Sequence, residues 1–473
     1  MKVLKFGGTS VGTARSILNV KQIVETNNEE VIVVVSALGG ITDKLILTSQ
    51  LAMNGDIAYK KEMNEIISRH LSLISEIIPV SNAREELVTQ VNVLLYELHA
   101  IYEEVYNTRI LAESQAASIV SYGERMSSLI ASRLIKDAVW FDSLSFIKTR
   151  RRHQHNELEA EVTHKLISKA FSQLPKVALV PGFISTDAVT GEITNLGRGG
   201  SDYTAAILAA ALEADCLEIW TDVDGFMTAD PRVVPAATPI EELSYNEAEE
   251  LSKFGAKVIY PPTIYPVWHQ RIPIYIKNTM NPEAPGTVIK QHIHQQANTI
   301  KGISFVREAC LFDFEIGDLS RSNNKATCFI SSFEDKTVSS DISWLVRLLT
   351  ENGISPLLLN CKASNHSIHL GIRKEDEAHV CELLNKIQEI KQQLILKEIK
   401  HNLAALAIVG EKVPIGFYTE LYEELRKEGI DVISSNLGDT AITHSFMIHK
   451  EKLMPALEEA HNTIFHPAMP VAM

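Results

Sequence analysis

The sequence predicts an α/β fold: an αβα sandwich with a mostly parallel sheet over about the first 290 residues, followed by two smaller α+β modules. Three observations lead to this prediction. Runs of apolar, β-branched residues alternate with helical stretches, glycine-rich turns follow several of these runs, and one pattern in the last third recurs at a constant offset. A chain of 473 residues has room for about two to four domains.

The strand-like runs of the first portion are short and almost wholly apolar, which is typical of strands buried on both faces of a parallel sheet. The clearest is the β-branched run from Val31 to Val35. Residues from about 44 to 136 predict mainly helices, because they hold few glycines and their leucines recur at helical spacing. The predicted strands are Val3–Phe6, Val31–Val35, Val177–Val180, Cys216–Trp220 and Ile272–Ile276.

Two glycine-rich loops each hold one cation: Lys5-Phe6-Gly7-Gly8-Thr9-Ser10 and Gly197-Arg198-Gly199-Gly200-Ser201-Asp202. Each opens a predicted helix, where free backbone N–H groups attract an anion and glycine allows its close approach. Two such loops, with Lys5 and Arg198, predict a site for two anionic ligands, as a transferase needs. A third loop, from Ser36 to Thr42, follows a buried strand, at the edge where ligands gather in open α/β sheets.

The first loop is not a Walker A phosphate-binding loop. Gly7 and Gly12 have the spacing of that motif, but Thr13 follows where the motif requires lysine. The cation here is Lys5, inside the predicted strand, where burial is costly unless an anion meets it. The alternative interpretation is a simple strand-to-helix turn at Gly7-Gly8.

Composition narrows the function classes. The formal net charge of −14 argues against nucleic acid or an anionic membrane as a partner. The five cysteines contain no CxxC pair, so a zinc site or a disulfide framework is not expected, and a reducing cytoplasm is. The absence of a signal-peptide pattern and of long apolar stretches leads to the same expectation of a cytoplasmic protein.

The last third contains an internal repeat. Leu345, Leu349, Gly353, Ile354 and Asn360 recur 76 residues later as Leu421, Leu425, Gly429, Ile430 and Asn436. In each copy an amphipathic helix ends at a glycine suited to the position after the helix C-cap. Two strands and a second helix follow, which predicts two ferredoxin-like βαββαβ modules.

Taken in order, the motifs resemble those of the aspartate kinases of the amino-acid-kinase superfamily, which carry two C-terminal ACT domains. The matching segments are Lys5–Val11, Ser36-Ala37 with Ile41-Thr42, Ser121–Arg125, Gly197–Asp202, Thr221–Gly225, Asp230–Arg232 and Phe254–Val258. The resemblance implies a catalytic domain over residues 1–292 and ACT domains over 300–392 and 400–473, with the last strand either in the second or returning to the first.

The resemblance implies transfer of the γ-phosphoryl group of ATP to the β-carboxylate of L-aspartate, the first step toward lysine, threonine and methionine. A carboxylate is already ionised at neutral pH, so the reaction needs positioning and charge stabilisation rather than a general base. Lys5 and Lys257 are the implied phosphate-facing cations, and Asp202 is implied to orient them. The simpler interpretations are a solvated lysine for Lys257 and a helix N-cap for Ser201-Asp202.

The resemblance also assigns binding roles. Arg198 is suited to a bidentate contact with a substrate carboxylate, Glu124 is implied to pair with the α-ammonium group, and Thr42 and Ser201 to donate to the substrate. Implied nucleotide-binding residues are Lys5, Gly7, Gly8, Thr221, Asp222, Met227, Arg232 and Lys257. Met227 stands where many family members have tyrosine. Mg²⁺ is implied as ATP's companion, with no protein ligand assigned to it.

A homodimer through the ACT domains and feedback by lysine or threonine are the family's defaults. The polar stretch from Ser332 to Asp341 departs from the usual inhibitor-binding loop, although Ser339-Ser340-Asp341 also fits a helix N-cap, so the effector stays open. No further strand–GxGxxG–helix unit is present, which predicts a monofunctional kinase rather than one fused to homoserine dehydrogenase. The alternatives are a kinase for glutamate, acetylglutamate or a nucleoside monophosphate, and an inactive amino-acid sensor.

Overall fold

A computed structural model describes residues 1–152, 155–256, 258–291, 300–316, 336–362, 367–388, 394–411, 415–437 and 442–465. The chain forms two compact units. The first comprises Met1–Phe226, Pro239–Tyr245 and Lys257–Ile293, and the second comprises Met227–Thr238, Asn246–Ala256 and His294–Met473. Within the described ranges, no helix is both long enough and apolar enough to cross a membrane.

The chain up to Ile289 alternates between strands and helices, as the sequence predicts. Its helices are α1 Gly8–Val11, α2 Ala14–Glu25, α3 Ile41–Asn54, α4 Tyr59–Ile77, α5 Asn82–Thr108, α6 Glu113–Leu134, α7 Ala160–Ala170, α8 Gly200–Ala211, α9 Tyr245–Lys253 and α10 Ile264–Trp268. Its strands are β1 Lys2–Phe6, β2 Val31–Val35, β3 Ala138–Trp140, β4 Lys148–Arg152, β5 His155–Leu158, β6 Val177–Pro181, β7 Ile184–Asp187, β8 Ile193–Asn195, β9 Cys216–Thr221, β10 Glu242–Leu243, β11 Ile274–Asn278 and β12 Thr287–Ile289.

Eight of these strands form one sheet in the order β10-β12-β11-β9-β1-β2-β6-β3. Every neighbouring pair is parallel except β11 and β12. The central strand β2 is buried at all five positions, which explains its β-branched sequence. The mostly parallel sheet and the mainly helical stretch that follows the third glycine loop confirm the predicted fold class for this portion.

A smaller four-stranded sheet, in the order β5-β4-β7-β8, belongs to the first unit. The long helices α3 to α6 bury their apolar faces in one core with β1, β2 and α2. Within α6 all four residues from Ser121 to Glu124 are buried, so the helix is enclosed on every side there. A buried carboxylate is costly without a partner, which marks Glu124 for attention.

The remaining elements belong to the second unit. They are β13 Ile300–Ile316, α11 Lys336–Glu351, β14 Leu358–Lys362, β15 Ser367–Arg373, α12 Glu377–Gln388, β16 Leu394–Gly410, α13 Ile415–Lys427, β17 Ser434–Leu437, β18 Thr443–His449 and α14 Leu453–Phe465. The strands form one antiparallel sheet in the order β14-β15-β13-β16-β18-β17. The two ferredoxin-like modules are thereby confirmed.

The repeat appears directly in this unit, because β18 begins and ends 76 residues after β15. Gly353 and Gly429 follow α11 and α13 with φ of 72° and 66°, the left-handed conformation predicted for a glycine after a helix C-cap. Helix α11 begins at Lys336, so Ser339 to Asp341 lie inside it, and their interpretation as its N-cap is wrong. The polar stretch before Lys336 lies outside the described residues.

The two copies share their longest strands. The first half of β13, from Ile300, pairs with the second half of β16, and its second half, to Ile316, pairs with the first half of β16. Only the second half of β13 pairs with β15, and only the second half of β16 pairs with β18. Each copy therefore has the ferredoxin-like strand order, with its fourth position filled by half of the other copy's first strand.

Candidate functional site

The predicted glycine loops meet at one edge of the large sheet. Strands β1, β2, β6 and β9 are parallel, so the residues that follow them meet at their common carboxyl edge. The loop after β1 begins at Gly7 and the loop after β2 begins at Ser36. The backbone joins the two loops, because Gly39 N–H donates to the Gly8 carbonyl at 3.0 Å.

A cavity of about 360 Å³ opens between these loops and the start of α8. Seven of the predicted site residues line it: Lys5, Gly8, Thr42, Glu124, Arg198, Ser201 and Asp202. The other residues that line it are Ser36, Ala37, Leu38, Gly39, Gly40, Asp43, Phe183, Gly197, Gly199 and Gly200. The volume and polar walls suit a small polar ligand.

The centre of the cavity wall is an ion pair between Lys5 and Asp202. Lys5 Nζ lies 2.6 Å from Asp202 Oδ1, and the two side chains are only 12% and 13% exposed. Asp202 is the third residue of α8, inside the helix, and no side chain caps that helix. The interpretation of Ser201-Asp202 as a plain N-cap is therefore wrong, and Asp202 faces the predicted phosphate-binding lysine instead.

The turn into α8 depends on glycine. Gly199 has φ of 67°, and a Cβ added there would lie 2.3 Å from the Tyr260 side chain, so no other residue fits without displacing Tyr260. The turn presents Arg198, which is exposed at the cavity mouth. Arg198 is close enough to act electrostatically on Tyr260, whose pKa is nonetheless raised, chiefly by burial. An exposed guanidinium held by a rigid turn can bind a carboxylate by two hydrogen bonds.

Glu124 faces the cavity from α6. It is 4% exposed, and its Oε2 has no hydrogen-bond partner among the described residues. Burial raises the pKa of Glu124 to about 8, although a backbone hydrogen bond from Ala37 and the charge of Lys5 act in the opposite direction. A buried carboxyl with a free oxygen at a cavity wall is suited to receive a cationic group of a ligand.

Phe183 lines the same cavity, although the sequence analysis does not single it out. It has φ of 67°, a conformation that costs a non-glycine residue about 1–3 kcal/mol. The surroundings hold it there: its N–H donates to Thr204 Oγ1 at 3.0 Å and its carbonyl accepts from Leu196 N–H at 2.9 Å. The only sequence signal is its place directly after Pro181-Gly182 at the end of a predicted strand.

Several of the predicted nucleotide-binding residues do not line the cavity. The Gly7 N–H donates to the Trp220 carbonyl at 3.2 Å, so that donor is engaged in this structure. Thr221 is the last residue of β9, Asp222 follows it at the same sheet edge, and neither lines the cavity. Thr221 Oγ1 donates to Asp222 Oδ1 at 3.2 Å. Their role in nucleotide binding stays a prediction.

Two further predicted residues do not line this cavity, and a third lies outside the described residues. Met227 and Arg232 belong to the second unit. Arg232 is 87% exposed and donates to the Asp230 carboxylate, which lowers the pKa of Asp230. Lys257 lies outside the described residues. Among the residues that are described, no group of three His, Cys, Asp or Glu side chains could hold a metal ion.

Comparison with known proteins identifies the family of the chain. The sequence model of the amino acid kinase family matches residues 1–278. The bifunctional aspartokinase/homoserine dehydrogenase of Buchnera aphidicola subsp. Acyrthosiphon pisum is 31% identical over 480 residues, which covers 98% of this chain and 56% of that protein. The chain spans about half the length of the curated bifunctional relatives it matches.

Solved structures give the same result for the fold. E. coli aspartokinase III in complex with aspartate and ADP is similar with a TM-score of 0.81 and 25% identity, over 98% of this chain and 100% of that one. The same enzyme in complex with lysine and aspartate gives a TM-score of 0.72 at 25% identity, with the same coverage of both chains. The resemblance to aspartate kinases that the motifs carry is confirmed by these similarities.

Proposed function

The chain belongs to the amino acid kinase family, and from that premise we propose that it is an aspartate kinase. The proposed reaction transfers the γ-phosphoryl group of ATP to the β-carboxylate of L-aspartate and yields 4-phospho-L-aspartate and ADP. Its product would enter lysine, threonine and methionine biosynthesis. The similarity to an aspartokinase bound to aspartate and ADP supports the choice of both substrates.

One observation carries the proposal: a single cavity holds a cation for a carboxylate, a carboxyl group for an ammonium, and a buried lysine. Arg198 would bind the α-carboxylate of aspartate, and Glu124 its α-ammonium group. Thr42 and Ser201, which line the same cavity, would donate hydrogen bonds from their hydroxyl groups. The β-carboxylate would then face Lys5.

The proposed ion pair between Glu124 and the substrate's α-ammonium group favours aspartate over acetylated amino acids. N-acetylglutamate has no ammonium group, so it would leave the Glu124 carboxyl buried without its partner. A buried polar group left unpaired costs binding free energy, and this cost discriminates between ligands. Glutamate keeps the ammonium group but is longer by one methylene, so its exclusion would rest on the position of the γ-phosphoryl group.

The proposed chemistry needs no general base. An oxygen of the ionised β-carboxylate forms a bond to the γ-phosphorus, the bond from that phosphorus to the β–γ bridging oxygen breaks, and ADP leaves with the electron pair. Lys5, held by Asp202, would stabilise the negative charge on the transferred group. Mg²⁺ would neutralise phosphate charge when bound with ATP, and it would be held chiefly through the nucleotide, since the described residues offer no ligand cluster.

The experiment that tests the proposal is phosphorus NMR of the protein with MgATP and L-aspartate. The expected result is an acyl phosphate resonance that grows in step with ADP and is absent without aspartate. Release of inorganic phosphate and ADP at the same rate with and without aspartate would refute the kinase activity on this acceptor.

A homodimer through the two ACT modules and feedback by an amino acid are part of the same proposal. The similarity to an aspartokinase bound to lysine makes lysine the first effector to test, with threonine as the alternative. Sedimentation equilibrium of the full chain, with and without each amino acid, measures the first part. Initial rates at increasing lysine or threonine measure the second, and rates that stay constant up to millimolar effector would refute feedback by these two.

A further inference from the structure

Outside the cavity, one side chain of the first unit contacts both the loop after β1 and the loop after β2. Arg69, near the middle of α4, extends its guanidinium group to the backbone of both loops. Its Nη2 donates to the Gly12 carbonyl at 2.9 Å and lies 3.5 Å from the Gly39 carbonyl. Arg69 belongs to none of the three glycine-rich loops that the sequence analysis names. Its side chain does not line the cavity.

The glycines that Arg69 joins are packed against each other as closely as backbone allows. A Cβ on Gly12 would lie 2.9 Å from the Gly8 carbonyl oxygen and 3.1 Å from Gly39 N. A Cβ on Gly8 would lie 2.9 Å from the Ala37 carbonyl oxygen. Backbone-to-backbone packing of this kind has few side-chain contacts to fix it, so the loops depend on hydrogen bonds for their relative position.

In the described structure two backbone hydrogen bonds join these segments, from Gly39 N–H to the Gly8 carbonyl at 3.0 Å and from Ser36 N–H to the Phe6 carbonyl at 3.1 Å. Arg69 adds a link from a side chain, through the Gly12 and Gly39 carbonyls. A guanidinium is suited to this task because one planar group donates several N–H bonds in fixed directions and stays charged at all physiological pH values. Bonds from a charged donor are stronger than those between neutral groups.

The charged groups around Arg69 indicate that it binds backbone carbonyls rather than a carboxylate. Its neighbour Lys44 is neutralised by Glu62 and Glu65, at 2.6 and 2.5 Å. Arg69 itself forms no ion pair with any residue in the described ranges. Its cation therefore acts on the peptide groups of the loops, and the peptide that follows Gly39 carries the N–H of Gly40, a residue of the cavity wall.

We propose that Arg69 is a positioning residue for phosphoryl transfer, which holds the loop after β1 and the loop after β2 at the spacing that the reaction requires. The end of β1 and the loop after it would bring Lys5 and the ATP phosphates, and the loop after β2, with the start of α3, would bring Thr42 and the aspartate. Arg69 acts through the backbone of these loops and touches neither substrate. This inference rests on the proposed kinase function.

The consequence is a loss of rate rather than a loss of binding. Each loop keeps its own ligand contacts when Arg69 is removed, so ground-state binding of each substrate changes little. The spacing between the two reacting groups becomes less well defined, and a displacement of about 1 Å can cost on the order of 10²-fold in rate. We expect Arg69→Ala to lower kcat by about 10- to 100-fold and to change either KM by less than about threefold.

The structure offers a specific rescue. A groove of about 460 Å³, open to solvent, lies on the outer side of Gly39 and Gly40 and is lined in part by Arg69 and Lys44. Truncation of Arg69 leaves room there for a free guanidinium ion. Guanidinium chloride at low, non-denaturing concentration should therefore restore part of the kcat of Arg69→Ala, with saturation. Arg69→Lys keeps the charge without the planar geometry, so its kcat should lie between those of Arg69→Ala and the wild type.

The experiment measures kcat and both KM values for wild type, Arg69→Ala and Arg69→Lys, with and without guanidinium. Arg84→Ala is the matched control, because Arg84 reaches the Ile78 carbonyl at 3.5 Å, far along the chain from the loops, and should give wild-type values and no rescue. An Arg69→Ala variant with wild-type kcat, or with a raised KM alone, would overturn the positioning role. An inactive wild-type protein would instead refute the proposed function.

Discussion

Lys5 and Asp202 form a largely buried ion pair at 2.6 Å between residues that are far apart in sequence. Lys5 lies within β1, and Asp202 lies in the first turn of α8. The carboxylate reduces the cost of burying the ammonium. A lysine held in this way is preorganised for a phosphoryl group, since little reorganisation is needed when the charge develops.

The first prediction concerns this pair. Lys5→Ala should lower kcat by about 10²–10³, the usual loss when a preorganised donor to the transition state is removed. Asp202→Asn should lower kcat in the wild-type background and have much less effect in the Lys5→Ala background, because Asp202 acts through Lys5. Steady-state rates of the two single variants and the double variant measure this coupling.

Lys2→Ala is the matched control for the Lys5 variant. Lys2 lies on the same strand and its Nζ is 3.9 Å from the Glu218 carboxylate, away from the cavity. It should leave kcat near the wild-type value. Equal losses from Lys2→Ala and Lys5→Ala would mean that the lysine effect is structural, and additive losses for Lys5 and Asp202 would mean that they act independently.

The second prediction concerns the pH dependence of aspartate binding. The pKa of Glu124 is raised to about 8 by burial, and only the ionised carboxylate pairs with the substrate ammonium. The KM for aspartate should therefore fall as pH rises from 6 to 8, by nearly tenfold per unit at the acidic end. Glu124→Gln should have a high KM with little pH dependence. A wild-type KM that is constant over this range would contradict the role of Glu124.

The third prediction concerns stability and the same carboxyl group. Between its ordinary pKa of 4.5 and about 8, the folded protein keeps a proton on Glu124 that the unfolded chain has released. The free energy of unfolding therefore decreases as pH rises through this window, by a few kcal/mol at most.

Glu124→Gln lacks this titration, so its melting temperature should exceed that of the wild type by more at pH 8 than at pH 5. Thermal unfolding of both proteins at the two pH values measures the difference. Glu86→Gln, at an exposed position of α5, is the control and should show no such pH-dependent gain. A gain that is the same at both pH values would show that Glu124 does not titrate in this window.

The fourth prediction concerns Arg198. Arg198→Lys keeps the charge but loses the two parallel hydrogen bonds to a carboxylate, so the KM for aspartate should rise by roughly tenfold or more while the KM for ATP stays the same. Initial rates at varied aspartate and varied ATP separate the two constants. A rise in the KM for ATP alone would move Arg198 to the nucleotide.

Much of the fold follows from local patterns in the sequence. The run from Val31 to Val35 predicts a buried strand, and the constant offset of 76 residues predicts two copies of one module. The sharing of β13 and β16 between the copies could not be predicted, because pairing between distant strands leaves no local signal. The same holds for Phe183, whose left-handed backbone conformation depends on its hydrogen bonds to Thr204 and Leu196.

The site was predictable where charge and glycine occur together. Lys5 lies two residues before Gly7, and Arg198 and Asp202 flank Gly199-Gly200; these glycines already mark an anion site. Arg69 carries no such signal, because a lone arginine in the middle of a helix usually faces solvent. Its contacts with Gly12 and Gly39 emerge only once α4 lies beside the two loops.

The most direct test of the central claim is a comparison of phosphoryl acceptors. The protein is incubated with MgATP and hydroxylamine, which traps an acyl phosphate, in the presence of L-aspartate, L-glutamate or N-acetyl-L-glutamate. We expect hydroxamate from L-aspartate and none above background from the other two. Hydroxamate from N-acetyl-L-glutamate, or none from any acceptor with a folded, ATP-binding protein, would contradict it.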